Sequence, residues 1–172
     1  PWNPDVNSSV YDIEVLDSVV YVGGNFTSVS GQQRTYLAAI DTLHGGLYSF
    51  SPNLNGRVLS LSESNNTLYL AGEFTNVDGL VRKRLAAIDL FSSTVNSWNP
   101  NSNNTISAIV VNNNDVYVGG RFDSIGNRYI GKLSKINGLT GLVDTFWSPT
   151  PNNNVLSLSI SDNQLYVGGD FT

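Results

Sequence analysis

One short stretch recurs four times along this chain, and the recurrence restricts the fold more than any composition figure. The copies are "VYVGGNFTSVSG" at 20–31, "LYLAGEFTNVDG" at 68–79, "VYVGGRFDSIG" at 116–126 and "LYVGGDFT" at 165–172. The glycine before the variable residue stands at Gly24, Gly72, Gly120 and Gly169, so the steps are 48, 48 and 49 residues. Three further columns keep this beat. An aromatic stands at Trp2, Phe50, Trp98 and Trp147, and an asparagine at Asn7, Asn55, Asn103 and Asn152. The third, "LAAID" at 37–41, returns at 85–89 and as "LSKIN" at 133–137. A period of this length marks stacked supersecondary units that cannot bury their apolar faces alone. The Gly-Gly pairs are scaffold on this reading. They follow a strand but lead into no helix whose N-terminus would meet a phosphate, so tight packing or a bulge explains them better.

Each unit reads as four strands. The first is "VYDIEV" at 10–15, matched at 58–63, 106–111 and 155–160, and the second is "VVYVG" at 19–23 and its copies. Between them stand Asp17-Ser18, Asn65-Asn66, Asn113-Asn114 and Asp162-Asn163. Asn and Asp tolerate the positive φ that two-residue primed hairpin loops demand. "YLAAID" at 36–41 supplies the third strand and "LYSF" at 47–50 the fourth. The second strand is apolar without alternation, as in Leu68-Tyr69-Leu70, so both its faces must be covered. Four-stranded antiparallel units sandwiched between their own copies describe the blades of an all-β β-propeller. A β-solenoid fits less well, because its coils are usually shorter and contain no tight hairpins. The expected blades are 5–52, 53–100 and 101–149, with a half-blade at 150–172 and the end of a preceding blade at 1–4. Propellers close with about 4–8 blades, so the remaining strands are expected from additional residues of the same longer polypeptide.

Composition narrows the partners. Only 13% of residues are charged, against roughly 25% on average, and Asn and Ser take their place. A net charge of −5 and a pI near 4.6 disfavour nucleic acid, whose phosphates demand a basic footprint. No apolar run approaches the ~20 residues of a membrane span. Cysteine is absent, which removes disulfides and thiolate metal sites. No cofactor and no metal is implied, since no short-spaced acidic loop of the calcium type occurs.

With those motifs in hand, the chain resembles the bacterial delta-60 repeat, a β-propeller family of secreted and cell-surface proteins. A similar repeat occurs in fungal cortical polarity-marker proteins. The resemblance rests on Gly-Gly-x-Phe-Thr, the following Val/Ile-x-Gly, Leu-Ala-Ala-Ile-Asp and Trp-Asn-Pro-x-x-Asn, and it covers essentially the whole chain. Ala71, Phe50 and Asp123 depart from it locally, and the third unit loses the Leu-Ala-Ala core. The resemblance implies an extracellular repetitive scaffold and no common enzymatic activity.

Candidate sites are weighed against that scaffold. The aromatic columns Trp2, Phe50, Trp98 and Trp147; Tyr21, Tyr69, Tyr117 and Tyr166; and Phe26, Phe74, Phe122 and Phe171 are expected to pack between blades. Tyr11, Tyr36, Tyr48, Phe91, Tyr129 and Phe146 lie outside the columns and are expected at the surface. The asparagine column is read as a turn cap bonding its own backbone. No residue is assigned a catalytic role: His44, the lone histidine, sits in a loop, and nothing brings a carboxylate pair such as Glu73 and Asp170 together. One position varies. Between glycine and phenylalanine the units carry Asn25, Glu73, Arg121 and Asp170, a charge pattern that either faces a ligand or forms an inter-blade ion pair such as Glu73 with Arg121. The expected function is a non-catalytic structural, adhesive or interaction scaffold of a secreted or cell-surface protein. Its partners are protein or cell-surface glycan. The alternatives are a carbohydrate-binding propeller and an enzyme whose active residues lie in further blades.

Overall fold

A computed structural model describes residues 2–172, and every regular element among them is a β-strand. The first unit contains β1 (Val10–Leu16), β2 (Val19–Gly24), β3 (Ser28–Val29), β4 (Gln32–Gln33) and β5 (Leu37–Asp41). The second contains β6 (Val58–Ser64), β7 (Thr67–Gly72), β8 (Asn76–Val77), β9 (Leu80–Val81), β10 (Leu85–Asp89) and β11 (Thr94–Val95). The third contains β12 (Ile106–Asn112), β13 (Asp115–Gly120), β14 (Ser124–Ile125), β15 (Arg128–Tyr129) and β16 (Leu133–Asn137), and β17 (Val155–Ser161) with β18 (Gln164–Gly169) follows. The main sheets run β1-β2-β5, β6-β7-β10-β11, β12-β13-β16 and β17-β18, all antiparallel.

Two expectations about the units need correction. A regular fourth strand forms only in the second unit, as β11; elsewhere it is reduced to single bridges, Ile40 to Leu47 and Ile136 to Val143. Thr94 and Val95 are both β-branched and suit a pleated edge, whereas Leu47-Tyr48 has no β-branched residue and Val143-Asp144 sets one beside a strand-depleted aspartate. The sheets are small, and the four of them do not close a ring. Each complete unit also holds a second, two-residue hairpin that the strand count omits, β3-β4, β8-β9 and β14-β15. Its loops are Ser30-Gly31, Asp78-Gly79 and Gly126-Asn127, with positive φ at both residues in each case, the type I′ requirement.

The glycine column has a steric cause. In every unit the first strand carries a bulge opposite it, at Val10/Asp12, Val58/Ser60, Ile106/Ala108 and Val155/Ser157. The bulged strand swings its preceding carbonyl across the glycine: a Cβ on Gly72 would lie 2.1 Å from the Arg57 oxygen, and one on Gly169 2.1 Å from that of Asn154. No side chain fits there.

The sheets stack face to face, with β1, β6, β12 and β17 side by side. Leu68 and Leu70 of β7 enter the core shared with the first unit, while Tyr69 and Ala71 enter the core shared with the third. This is why β7 is apolar on both faces. Phe26, Phe74 and Phe122 are fully buried, and Tyr21–Phe50, Tyr69–Trp98 and Tyr117–Trp147 meet edge to face at 5.5, 5.2 and 5.3 Å. Trp98 Nε1 also donates to the Asn137 carbonyl of the next unit at 3.0 Å, so one indole touches two units. Trp2 makes the equivalent bond to Asp41, 2.8 Å.

The asparagine column does not cap its own turn. Asn55 Oδ1 accepts from Thr75 N at 2.8 Å and Asn76 N at 2.9 Å, and its Nδ2 donates to Thr75 Oγ1 at 2.8 Å. Asn7 and Asn103 likewise accept from two backbone N–H groups twenty residues ahead, and Asn152 from Thr172. Each asparagine therefore clamps the segment entering a unit to that unit's Phe-Thr motif. Where Asp123 replaces threonine, its carboxylate pairs with Lys132 instead.

Candidate functional site

The strands run between two rims. One carries the primed turns between first and second strands, and the other carries the segments that join second strands to third strands and each unit to the next. Asn25, Glu73, Arg121 and Asp170 all stand on the second rim, where the second strands end. Their backbone is placed by the same crossing that requires glycine: Asn25 N donates to Ser9 O, Glu73 N to Arg57 O, Arg121 N to Thr105 O and Asp170 N to Asn154 O, at 2.8–2.9 Å.

Their side chains are not brought to one point. Glu73 receives Arg57, with Oε2 at 2.9 Å from Nε and 2.6 Å from Nη2, and this replaces the inter-blade pair with Arg121 that the sequence allows. The nearby Tyr11 hydroxyl and then the Glu73 carboxylate hold Arg57 above its ordinary pKa. Asp170 accepts from Asn154 Nδ2 at 3.2 Å, so Glu73 and Asp170 are each engaged inside their own units. Arg121 forms no ion pair among the described residues, and Asn25 is exposed. A cavity of about 280 Å³ on this rim is lined by Gln33, Thr35, Ser51, Pro52 and Asn53, none of them from the column.

Two carboxylates of the opposite rim are tied into their own loops. Asp41 Oδ1 accepts from His44 N at 2.6 Å and Leu43 N at 3.0 Å, and Asp89 Oδ1 from Ser92 N at 2.7 Å. These backbone donors hold both acids below the ordinary carboxylate range. His44 itself is exposed, beside Asp41.

Sequence reasoning missed a set of polar groups inside the stack. Asp12 Oδ2 accepts from Leu61 N at 2.7 Å and Ser60 Oγ at 3.0 Å, Ser60 Oγ from Ile109 N at 3.2 Å, and Ser62 Oγ from Val111 N at 3.1 Å. The first and second units thus each offer side-chain oxygens to the first strand of the next, whereas the third has Ala108 and Val110 at these places. The alternation of polar residues in "VYDIEV" and "VLSLSE" was the available signal, but it gives no partner. Glu14, half-buried in this ladder, is raised above its ordinary pKa by desolvation. No group of three metal-ligating side chains occurs among the described residues, and no helix there is long and apolar enough to cross a membrane.

No protein-family model matches the chain, and no curated protein matches it. Solved structures do. The chain is similar to the computationally designed Ika4 protein, at 16% identity and a TM-score of 0.62 over 94% of this chain and 86% of that one. It is similar to the extracellular domain of the putative one component system BT4673 from B. thetaiotaomicron, at 18% identity and a TM-score of 0.62 over 98% of this chain. A third is Sqt1 of Saccharomyces cerevisiae, at 16% identity and a TM-score of 0.59 over 92% of this chain. The chain spans 21% of the BT4673 domain and 43% of Sqt1. At these identities the likeness concerns architecture alone: an all-β, propeller-like stack of small sheets.

Proposed function

We propose that this chain is a segment of a larger β-propeller of the delta-60-repeat kind, in which blades of three or four strands form a non-catalytic interaction scaffold on a secreted or cell-surface protein. Further units of the same polypeptide lie against both ends of the stack. The observation that carries this reading is a comparison of equivalent positions. Leu61 and Ile109, each covered by the preceding unit, are 4% exposed, while Ile13 at the same place in the first unit is 54% exposed. At the other end Tyr166 is 54% exposed where Tyr69 is 5%. Apolar positions that are buried wherever a neighbour exists call for a neighbour here too. The scaffold reading is supported by carboxylates tied into turns and by the exposed loop position of the lone histidine. Extracellular placement rests on the family resemblance, with the likeness to one extracellular domain in the same direction.

The test is sedimentation velocity on the full chain. Concentration-dependent self-association that Ile13→Lys and Tyr166→Lys together abolish is the expected result; a monodisperse monomer with a sharp melt would overturn the open-ended reading. Labelling producing cells with a membrane-impermeant biotin reagent tests location, and an unlabelled chain would count against the surface assignment. Exposed aromatics favour carbohydrate as the second reading, since Tyr129 and Phe146 are 85% and 100% exposed and both belong to the third unit.

A further inference from the structure

Charge is segregated between the two rims. Of the nine lysines and arginines, every one except Lys135 lies on the rim that carries Asn25, Glu73, Arg121 and Asp170. Only five of the fourteen acidic residues share it: Asp5, Glu73, Asp78, Asp123 and Asp170. Eight positive against five negative side chains leave this rim net positive in a chain of total charge −5. Some of its cations are already engaged. Arg57 pairs with Glu73 and Lys132 with Asp123, while Arg34 and Arg82 turn toward the carbonyls of Tyr48 and Asn96. Lys83, Arg84, Arg121 and Arg128 have no carboxylate partner among the described residues.

These four fall on two neighbouring units, and backbone contacts tie the units there. The Lys83 carbonyl accepts from Ser102 N at 3.0 Å, Ser102 bridges to Ile125, and Ile125 pairs with Arg128. Lys83 and Arg128 are thus at most about three strand spacings apart along the backbone, roughly 14 Å, and belong to one patch. A polymer with repeated anionic groups can engage several cations of such a patch at once. Next to Arg128, the 85% exposed Tyr129 lines a cavity of about 120 Å³ together with Ile130, Thr145, Trp147, Ser148 and Asp144, whose carboxylate is paired with Lys135 at 2.7 Å. An aromatic face beside hydroxyl groups matches the apolar face and hydroxyl rim of a sugar ring. The acidic remainder of the molecule opposes any densely charged long polyanion, a nucleic acid included, and so favours a polymer whose anionic groups are widely spaced and meet the rim alone.

We propose that the basic rim of the second and third units binds an acidic polysaccharide. Its carboxylate or sulfate groups meet Lys83, Arg84, Arg121 and Arg128, and one sugar ring rests on Tyr129 at the mouth of the cavity. This deepens the scaffold reading by naming a ligand class. It does not depend on ring closure, because both units are complete in this chain.

The test is isothermal titration of the full chain with polygalacturonate, which offers carboxylates, and with dextran sulfate, which offers sulfate esters; neutral dextran and oligo-dT serve as comparisons. At least one acidic polysaccharide is expected to bind, with affinity falling about tenfold or more between about 50 and about 300 mM NaCl. Lys83→Gln with Arg128→Gln should weaken binding by about tenfold and Tyr129→Ala by about fivefold, whereas Asp162→Asn on the opposite rim should leave it intact. Absence of binding to both polymers, equal binding of neutral dextran, tighter binding of oligo-dT, or folded rim variants that bind like wild type would each overturn the proposal. Assembly state is measured in parallel by sedimentation, so failure of the open-ended stack and failure of the binding rim are read separately.

Discussion

Gly72 shows how one atom constrains this repeat. With the Arg57 carbonyl 2.1 Å from where its Cβ would stand, Gly72→Ala forces the bulged strand away from β7. The expected cost is about 3 kcal/mol or more, read as a fall in the urea midpoint. Gly46→Ala, with nothing within 4 Å of its Cβ, should be neutral in the same titration. The asparagine column makes a second prediction. Asn55→Ala removes both acceptor bonds to Thr75 and Asn76 and the donor bond to Thr75 Oγ1. At this exposed site water recovers part of the loss, so a cost of about 1–2 kcal/mol is expected. Asn55→Asp keeps the backbone acceptor and should cost less; equal losses for the two variants would mean that the clamp is not what the column supplies. The need for glycine was legible in the repeat. The reach of Asn55 across twenty residues was not, because a hydrogen-bonding side chain carries no record of its partner.

The hairpins separate local from long-range determinants. Asn65 and Asn66 both have positive φ, at 51° and 59°, whereas in Asn113-Asn114 only Asn113 does, at 56°. Asn66→Gly should therefore leave the melting temperature unchanged or slightly raised, since glycine occupies this region without strain and the Asn66 N–H bond to Glu63 is retained. A clear drop would argue against the type I′ turn. The loops after the third strands respond to pH. Backbone donors depress Asp41 and Asp89, and Lys135 followed by backbone donors depresses Asp144, so each favours the folded state while ionised. That contribution is full above the ordinary carboxylate value and is lost as pH falls through the lowered one. Glu14 is raised by burial and acts with the opposite sign, so the measured effect is the net of the two. The melting temperature should hold between about pH 7 and 5 and fall below about pH 4. Asp89→Asn should fold normally and lessen that fall, because Asn137 already fills the same role in the third unit by accepting from Leu139 N and Thr140 N. An unaltered acid profile in Asp89→Asn would show that this carboxylate is not among the groups responsible.

Across the whole stack, equivalent residues do unequal work. Tyr69 is enclosed by Trp98 and the third unit and donates its hydroxyl to the Gly138 carbonyl at 3.2 Å, while Tyr166 stands half in water. Tyr69→Ala should cost about 3–5 kcal/mol, and Tyr166→Ala should cost less than about 1 kcal/mol. Comparable losses in chemical denaturation would mean that position in the stack does not set burial. The two tyrosines share one column in the sequence, so no pattern within the units distinguishes them.

The order of strands, the two-faced burial of β7 and the demand for glycine opposite each bulge were settled by the chain alone. They follow from periodicity, turn chemistry and the volume of a Cβ atom, all of which act within one unit. Packing decided the rest: the pairing of Glu73 with Arg57, the ladder from Asp12 through Ser60, and the unequal exposure of Ile13 and Leu61. Charge segregation belongs with these, because lysines and arginines scattered along the chain meet on one rim only after the strands have set its direction. Such properties depend on distances between segments tens of residues apart, and a local pattern contains no distance of that kind.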